Sequence, residues 1–358
     1  MSKKRTSKVV KIILCVLAAL VLLVGAYVAY VFIAFNRLPD DLQLTVTDNV
    51  KETAQVNTAY KVVSFNTGFG AYEPDYGFFM DGGKESWAWS KDRLQANLNN
   101  IQAFLQSQDA DFYCIQEVDV NATRTYHVHE QEQMEAALPL YDSVFAENWD
   151  SPFLFWPLLQ PHGATRAGIM TFSKLDITSA LRRSLPVETG VMKLLDLDRC
   201  YSVSRIPVAD GHELVLVNLH LSAYTSDGVI ADDQLRLLAG DLTLEYEAGN
   251  YVVACGDFNK DLLGDSSQYF GISGEAYTWA QPVRMEIFEG LPLTLVAASN
   301  APSCRVADGP YTPDQFVLTL DGFIVSDNVR VVANEVIDTG FVYSDHNPVS
   351  LTFELVGD

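Results

Sequence analysis

The chain has 358 residues, 48% hydrophobic and 20% charged, enough apolar material for a large folded unit and too much for a disordered tail. Its formal charge is −22, and because five of the 24 basic residues precede residue 12, the other 19 stand against all 46 acidic residues, a balance of −27. Such a field does not draw in long polyanions, although a local metal ion or arginine cluster can still hold one phosphate.

Ile12 to Phe35 gives 24 consecutive positions without a charge, and as a helix this run reaches ~36 Å against ~30 Å of hydrocarbon. Cleaved signal peptides have shorter apolar cores, of roughly 7–15 residues, so the run reads as an uncleaved anchor, with a signal peptide as the alternative. Lys3, Lys4, Arg5, Lys8 and Lys11 precede it while Asp40 and Asp41 follow it. The positive-inside bias therefore keeps residues 1–11 cytoplasmic and everything after about Arg37 outside. Residues 36–58 are polar and without sustained periodicity, a stalk or an edge segment, and one folded domain is expected over 59–358.

Cys15 lies in the membrane run, which leaves Cys114, Cys200, Cys255 and Cys304 in an oxidising compartment. No CxxC or Cys/His spacing suggests zinc. Cys114 and Cys255 stand in apolar strand-like runs and read as small core residues, while a Cys200–Cys304 disulfide stays open.

From Tyr60 to Asn66 onward, short runs rich in β-branched and aromatic residues recur at 111–116, 167–172, 201–208, 213–221, 251–258, 316–325, 329–337 and 349–355, all strand candidates. Ser90 can cap a helix carrying Leu94, Leu98, Ile101 and Leu105 on one face, and Asp232 to Tyr246 repeats that spacing before Gly249. Many strands, few helices and no break in composition favour one α/β domain of two packed sheets flanked by helices.

Polar residues cluster at the ends of these runs: Ser64-Phe65-Asn66, Gln116-Glu117, Asn218-Leu219-His220, Gly256-Asp257-Phe258-Asn259, Asp321-Gly322 and Ser344-Asp345-His346-Asn347-Pro348. Each alone is weak. A strand-end glutamate is usually a solvated turn residue, a lone histidine is more often structural, and Gly-Asp-Phe-Asn can be an ordinary Asx turn. In combination and order, however, SFN, QE, NLH, GDFN, LDGFIVS and SDHNP resemble the endonuclease/exonuclease/phosphatase (DNase I-like) family, over about residues 60 to 355.

That resemblance implies a four-layer α/β sandwich of two mixed β-sheets between helices, here preceded by one transmembrane helix, and metal-dependent hydrolysis of a phosphoester. Glu117, with Asn66 and Asp345 nearby, would hold Mg²⁺, or Mn²⁺ or Ca²⁺ in its place; so few charged ligands suit an ion that keeps its waters. Asp257 would orient or deprotonate the attacking water, and Asn259 would donate to a phosphoryl oxygen. Gly256 would let the backbone come close to the phosphate where a side chain would collide. His346, paired with Asp321, and His220, the acid for the leaving group, complete the set; His346 and Asp257 both remain candidates for the base. Asp321 could equally just end a ladder. Arg166 occupies a place where nuclease-like members carry an arginine, its fork suiting a phosphate, with a surface charge as the plain alternative. Arg124 and Tyr126 follow QEVD closely enough to line the same rim, and Asp81 to Lys84 could approach it from the Asn66 side, although each is ordinarily a solvated loop residue.

No G-x-S-x-G elbow, GxxxxGK[ST] loop, HExxH helix or strand-borne G-x-G-x-x-G occurs. Three functions follow: hydrolysis of a small or lipid-borne phosphate ester at the membrane, to which the helix binds the chain; an extracellular nuclease, opposed by the −27 balance and the absence of a basic stripe; and a binding module without catalysis. No protein partner is indicated.

Overall fold

The computed structural model describes residues 3–187, 197–223, 229–272 and 280–357, so the first two residues of the basic N-terminus lie outside it. Lys3–Ala34 forms helix α1, among the described residues the one helix long and apolar enough to cross a membrane. It touches the rest of the chain near its C-terminal end, where Val31 is buried.

Two seven-stranded sheets carry the remainder. The first runs β1 (Leu42–Leu44), β7 (Ser179–Ser184), β8 (Cys200–Pro207), β9 (Glu213–His220), β10 (Tyr251–Asp257), β14 (Asp321–Ser326), β11 (Leu293–Val296). The second runs β15 (Val329–Val336), β16 (Val349–Leu355), β3 (Ala59–Asn66), β4 (Phe112–Ala122), β6 (Gly163–Ser173), β5 (Asp142–Leu154), β2 (Val46–Thr47). The two mixed sheets face each other across a core that includes Val62, Phe112, Cys114, Leu216, Val253, Cys255, Phe323 and Phe353. Helix α2 (Lys91–Gln108), with Leu94, Leu98, Ile101 and Leu105 buried, covers the outer face of the second sheet, and α4 (Val229–Glu247), with Leu235, Leu238 and Leu242 buried, covers the first. The expected four-layer α/β sandwich is therefore the fold. Ser90 caps α2 as its position suggests, its Oγ accepting from the Arg93 amide at 3.2 Å.

Of the two readings of residues 36–58, the structure gives the edge segment and corrects the stalk. β1 pairs with β7, β2 pairs with β5, and Ala54 bridges Val208, because an extended polar segment satisfies its backbone on two sheet edges that would otherwise stay open. All five cysteines are free: buried Cys200 packs with Ala146 and Ile169, whereas Cys304 lies beside His346, so the disulfide does not form.

Candidate active site

Two parallel crossovers build the site. β3 leads through α2 into β4, and β9 leads through α4 into β10; each pair is parallel, so the C-terminal ends of all four strands arrive at one rim. In register, Asn66 lies beside Gln116, and Asp257 lies between His220 on β9 and Asp321 on antiparallel β14.

Local backbone turns the side chains inward. β4 shifts register against β6 between Ile115 and Val118, and inside that irregularity Glu117 has φ +56°, a conformation non-glycine residues rarely take and that here swings its carboxylate off the ladder. Asn259 has φ +49° for the same kind of turn after β10. Gly256 is required for a reason other than the one expected. At φ +151°, a Cβ there would sit 2.0 Å from the Leu219 carbonyl oxygen, so the neighbouring strand, not a phosphate, excludes a side chain.

The rim opens into a cavity of about 560 Å³ whose walls include Glu117, Arg124, His220, Asp257, Asn259, Asp345 and His346. Asp257 Oδ2 is its focus: Asn66 Nδ2 donates to it at 3.0 Å, His220 Nε2 lies 3.5 Å away and His346 Nε2 3.7 Å. Asn66 Nδ2 also reaches Glu117 Oε1 at 3.2 Å, while Asn66 Oδ1 accepts from the Gly68 amide. Asn66 thus turns a donor, not an oxygen ligand, toward the two carboxylates. Asn259 donates its amide nitrogen to the Leu221 carbonyl at 2.8 Å. Asp321 stands behind His346, and the ligand-capable atoms of Asp257, Asp321 and His346 lie within 4.8 Å of one another.

Burial sets the charges. It raises the Asp257 carboxyl to about 7, against the pull of His346. It also raises Glu117, with Asp345 adding repulsion while Arg124 and the Asn66 hydrogen bond oppose the rise; the Glu117 side chain keeps 25% exposure at the cavity mouth. His220 is pushed well below its ordinary value by burial and by the cations Arg199 and His346. For His346 burial also pulls downward, but the carboxylates Asp321 and Asp257 together with Cys304 outweigh it, so the imidazole is held cationic.

A hard divalent cation fits this donor set. Glu117, Asp345 and Asp257 offer oxygens to one cavity, and two of these carboxylates are held against burial with Asn66 bridging them, a cost that Mg²⁺ would relieve.

Two expectations are corrected. Arg166 does not reach the cavity: it lies on the outer part of β6, half exposed, with its guanidinium on Glu147 at 3.0 Å. Arg124 is no solvated loop residue. It is buried, forks onto Asp119 through Nε at 3.0 Å and Nη2 at 2.8 Å, stacks 3.7 Å over the Phe69 ring, and lines the cavity. Asp81 borders the cavity, Lys84 is exposed, and the Tyr126 hydroxyl is turned to the Ala88 carbonyl. Residues that sequence reasoning passed over also line the wall, among them Tyr72, Trp149, His162, Arg199 and Arg305. None sits in a strand-end polar motif. Gln116 and Asn218, by contrast, belong to such motifs yet join the sheets, Gln116 Nε2 donating to Asn218 Oδ1 at 2.7 Å.

Compared with known families, residues 63–346 match the model described as the Endonuclease/Exonuclease/phosphatase family. No curated protein matches significantly. Among solved structures, the endonuclease/exonuclease/phosphatase from Beutenbergia cavernae DSM 12333 aligns at 17% identity and TM-score 0.58, covering 84% of this chain and 72% of that one. ANGEL2, a 2',3'-cyclic phosphatase solved with adenosine-2',3'-vanadate, aligns at 16% identity and TM-score 0.55, covering 88% and 99%. A mannosyl-6-phosphatase from Bacteroides thetaiotaomicron VPI-5482 aligns at 16% and TM-score 0.51, covering 82% and 99%. At these identities the likeness is one of fold.

Proposed function

Since the chain belongs to the endonuclease/exonuclease/phosphatase family, we propose that it is a membrane-anchored, Mg²⁺-dependent phosphoester hydrolase whose catalytic domain lies outside the cytoplasm and whose substrate is a small or lipid-borne phosphate ester. The convergence of Asn66, His220 and His346 on Asp257 Oδ2 carries this reading.

Hydrolysis forms a bond from a water oxygen to phosphorus, breaks the ester P–O bond, and moves a proton from the water to the leaving oxygen. Asp257, raised to about 7, is suited to take the water's proton near neutrality. His346, fixed through Nδ1 and held cationic by Asp321, is a donor to a phosphoryl oxygen and not the base. His220, kept neutral by burial, can give its Nε2 proton to the leaving oxygen and recover one from Asp257, whose Oδ2 lies 3.5 Å from that nitrogen and holds the proton taken from the water. Asn259 keeps one amide hydrogen for the phosphate. Glu117 and Asp345 would hold the cation, with Asn66 ordering the carboxylates around it; when bound, the ion would neutralise charge gathering on the phosphoryl oxygens.

The basic residues at the start of α1, ahead of its apolar run, favour the outward topology. A nuclease is opposed by the −27 outer balance and by the position of Arg166 away from the cavity, and a non-catalytic module by the presence of the complete polar set. Phosphate release by the full chain with Mg²⁺, from DNA, RNA, sugar phosphates, inositol phosphates and lipid phosphoesters, tests the ranking. Turnover of duplex DNA well above every small or lipid ester overturns it.

A further inference from the structure

The end of β5 and the start of the segment joining it to β6 read Phe153-Leu154-Phe155-Trp156-Pro157-Leu158-Leu159, with no charge, and the large side chains past the strand face water: Trp156 is 65% exposed, Leu158 74% and Leu159 101%. A run of this kind marks an interaction surface. Its position identifies the partner. Tyr27 of α1 donates its hydroxyl to the Phe153 carbonyl at 3.1 Å and accepts from the Phe155 amide at 3.2 Å, Tyr30 accepts from the Phe153 amide at 3.0 Å, and the Tyr27 and Phe155 rings meet edge-on at 5.1 Å. Counted from Lys11, Tyr27 and Tyr30 lie ~24 and ~28 Å along the helix, close to a hydrocarbon thickness of ~30 Å. These tyrosines therefore fall where aromatic residues mark a bilayer boundary, and the apolar loop is bonded to the helix at that depth. The same loop reaches the catalytic cavity, whose wall includes Leu154 and Trp156 together with Phe79 and half-exposed Met80.

We propose that residues 153–159 dock into the lipid surface beside α1 and turn the cavity mouth to the bilayer, so that the substrate is a lipid phosphoester whose head group meets Asp257 while its apolar part leaves past Trp156. This rests on the hydrolase and anchor readings above and deepens them. The outer domain's −27 balance gives no attraction to anionic lipid, so apolar insertion supplies the docking.

The test uses the full chain in phosphatidylcholine/phosphatidylglycerol vesicles, in a Cys15→Ser background, since the other four cysteines are buried. An environment-sensitive fluorophore goes on Leu159→Cys or, as control, on Leu140→Cys, which is also a leucine facing water, at 79% exposure, but precedes β5, a 13-residue strand about 40 Å long. Lipids carrying a nitroxide on the acyl chain should quench the label at 159 and spare that at 140. Equal quenching, or a label at 159 shielded from water yet untouched by the lipid nitroxide, overturns docking. The Leu158→Gln/Leu159→Gln variant should then lose about tenfold or more of its rate on phosphatidic acid or phosphatidylglycerol in the same vesicle, as lost effective concentration requires, and keep its rate on p-nitrophenyl phosphate or its diester. Equal loss on soluble and lipid esters overturns the lipid-presenting role. A wild type silent on every ester removes the hydrolase reading and the lipid substrate with it, and the quenching contrast still decides the docking.

Discussion

His346 Nδ1 lies 2.7 Å from Asp321 Oδ2, and that same oxygen accepts the Ser303 hydroxyl at 2.7 Å. The carboxylate is thereby fixed by two strong contacts, and it fixes in turn which nitrogen of His346 faces the cavity: Nε2, toward Asp257. Asp321→Asn preserves shape but removes the charge that keeps the imidazole cationic inside the protein. The His346 titration, followed by NMR, should move down, and turnover should fall about 10- to 100-fold. A variant with unchanged turnover and an unmoved histidine titration would leave Asp321 as a mere strand end.

The pH dependence follows from Asp257. Its carboxyl is raised to about 7, chiefly by burial, so a base at this position is progressively protonated, and activity lost, as pH falls through that value. A bound cation favours the ionised form, so raising Mg²⁺ should move the break to lower pH. The measurement is kcat/KM against pH at two Mg²⁺ concentrations. A profile flat from mildly acid to mildly alkaline, with chemistry limiting, contradicts the assignment.

Arg124 is the cation inside the second sheet's polar end. Its partner Asp119 also receives the Thr125 hydroxyl, and the Asp119 amide is held by buried Glu130, whose carboxyl burial and Asp119 raise well above its usual range. Arg124→Met strands these acids, and the domain should lose about 3–5 kcal/mol of stability, read by thermal or denaturant unfolding, as removal of one partner of a buried pair does. Arg124→Lys should recover only part, because an ammonium cannot fork onto the carboxylate. Full stability of the Met variant would show that the buried pair contributes nothing to the fold.

Much of this was legible because strand ends concentrate both periodicity and chemistry. Asn66, Glu117, His220 and Asp257 close apolar runs, and parallel crossovers gather such ends by geometry alone. What escaped was hidden by tertiary compensation. β5, DSVFAENWDSPFL, is not among the strand candidates, and it opens on Asp142, which is buried because the amides of Val50 and Ile177 donate to its carboxylate. β7 carries Arg182 fully buried, its Nε on the Glu147 carbonyl at 2.8 Å and its charge on Asp198. The run 316–325 looks like one strand but breaks into β13 (Val317–Leu318) and β14, and the break delivers Asp321 to the site. Arg166 and Arg124 invert the expectations because a sequence does not show which arginine finds a carboxylate inside.

His162 is buried against Phe79 and Trp149, and burial, aided by Arg124, lowers its imidazole from 6.5 to about 3. The unfolded chain takes a proton there below about pH 6.5 that the folded chain refuses. Its contribution to stability is therefore fully present above that pH and is lost as pH falls from 6.5 toward 3, on the order of a few kcal/mol in all. His162→Phe removes this titration, so its melting temperature should fall less than the wild type's between pH 7 and pH 4. Parallel falls would mean that His162 is protonated in the fold.

Glu117→Gln keeps side-chain volume and the hydrogen bond from Asn66, and deletes one charge at the place assigned to the cation. The positive φ at Glu117 is retained by either residue, so the fold should survive. Burial raises this carboxyl, so removing its charge without metal present should leave stability equal or slightly higher. With Mg²⁺, wild-type protein should gain thermal stability by mass action, whereas the variant should lose that gain together with turnover. A solvated surface acid would change neither quantity. An acid held by a structural partner would show lower stability in the metal-free variant and activity lost only in proportion to unfolding. Melting with and without Mg²⁺, measured beside turnover of the best ester, separates the three, and an active variant that keeps its Mg²⁺ shift removes Glu117 from the metal site.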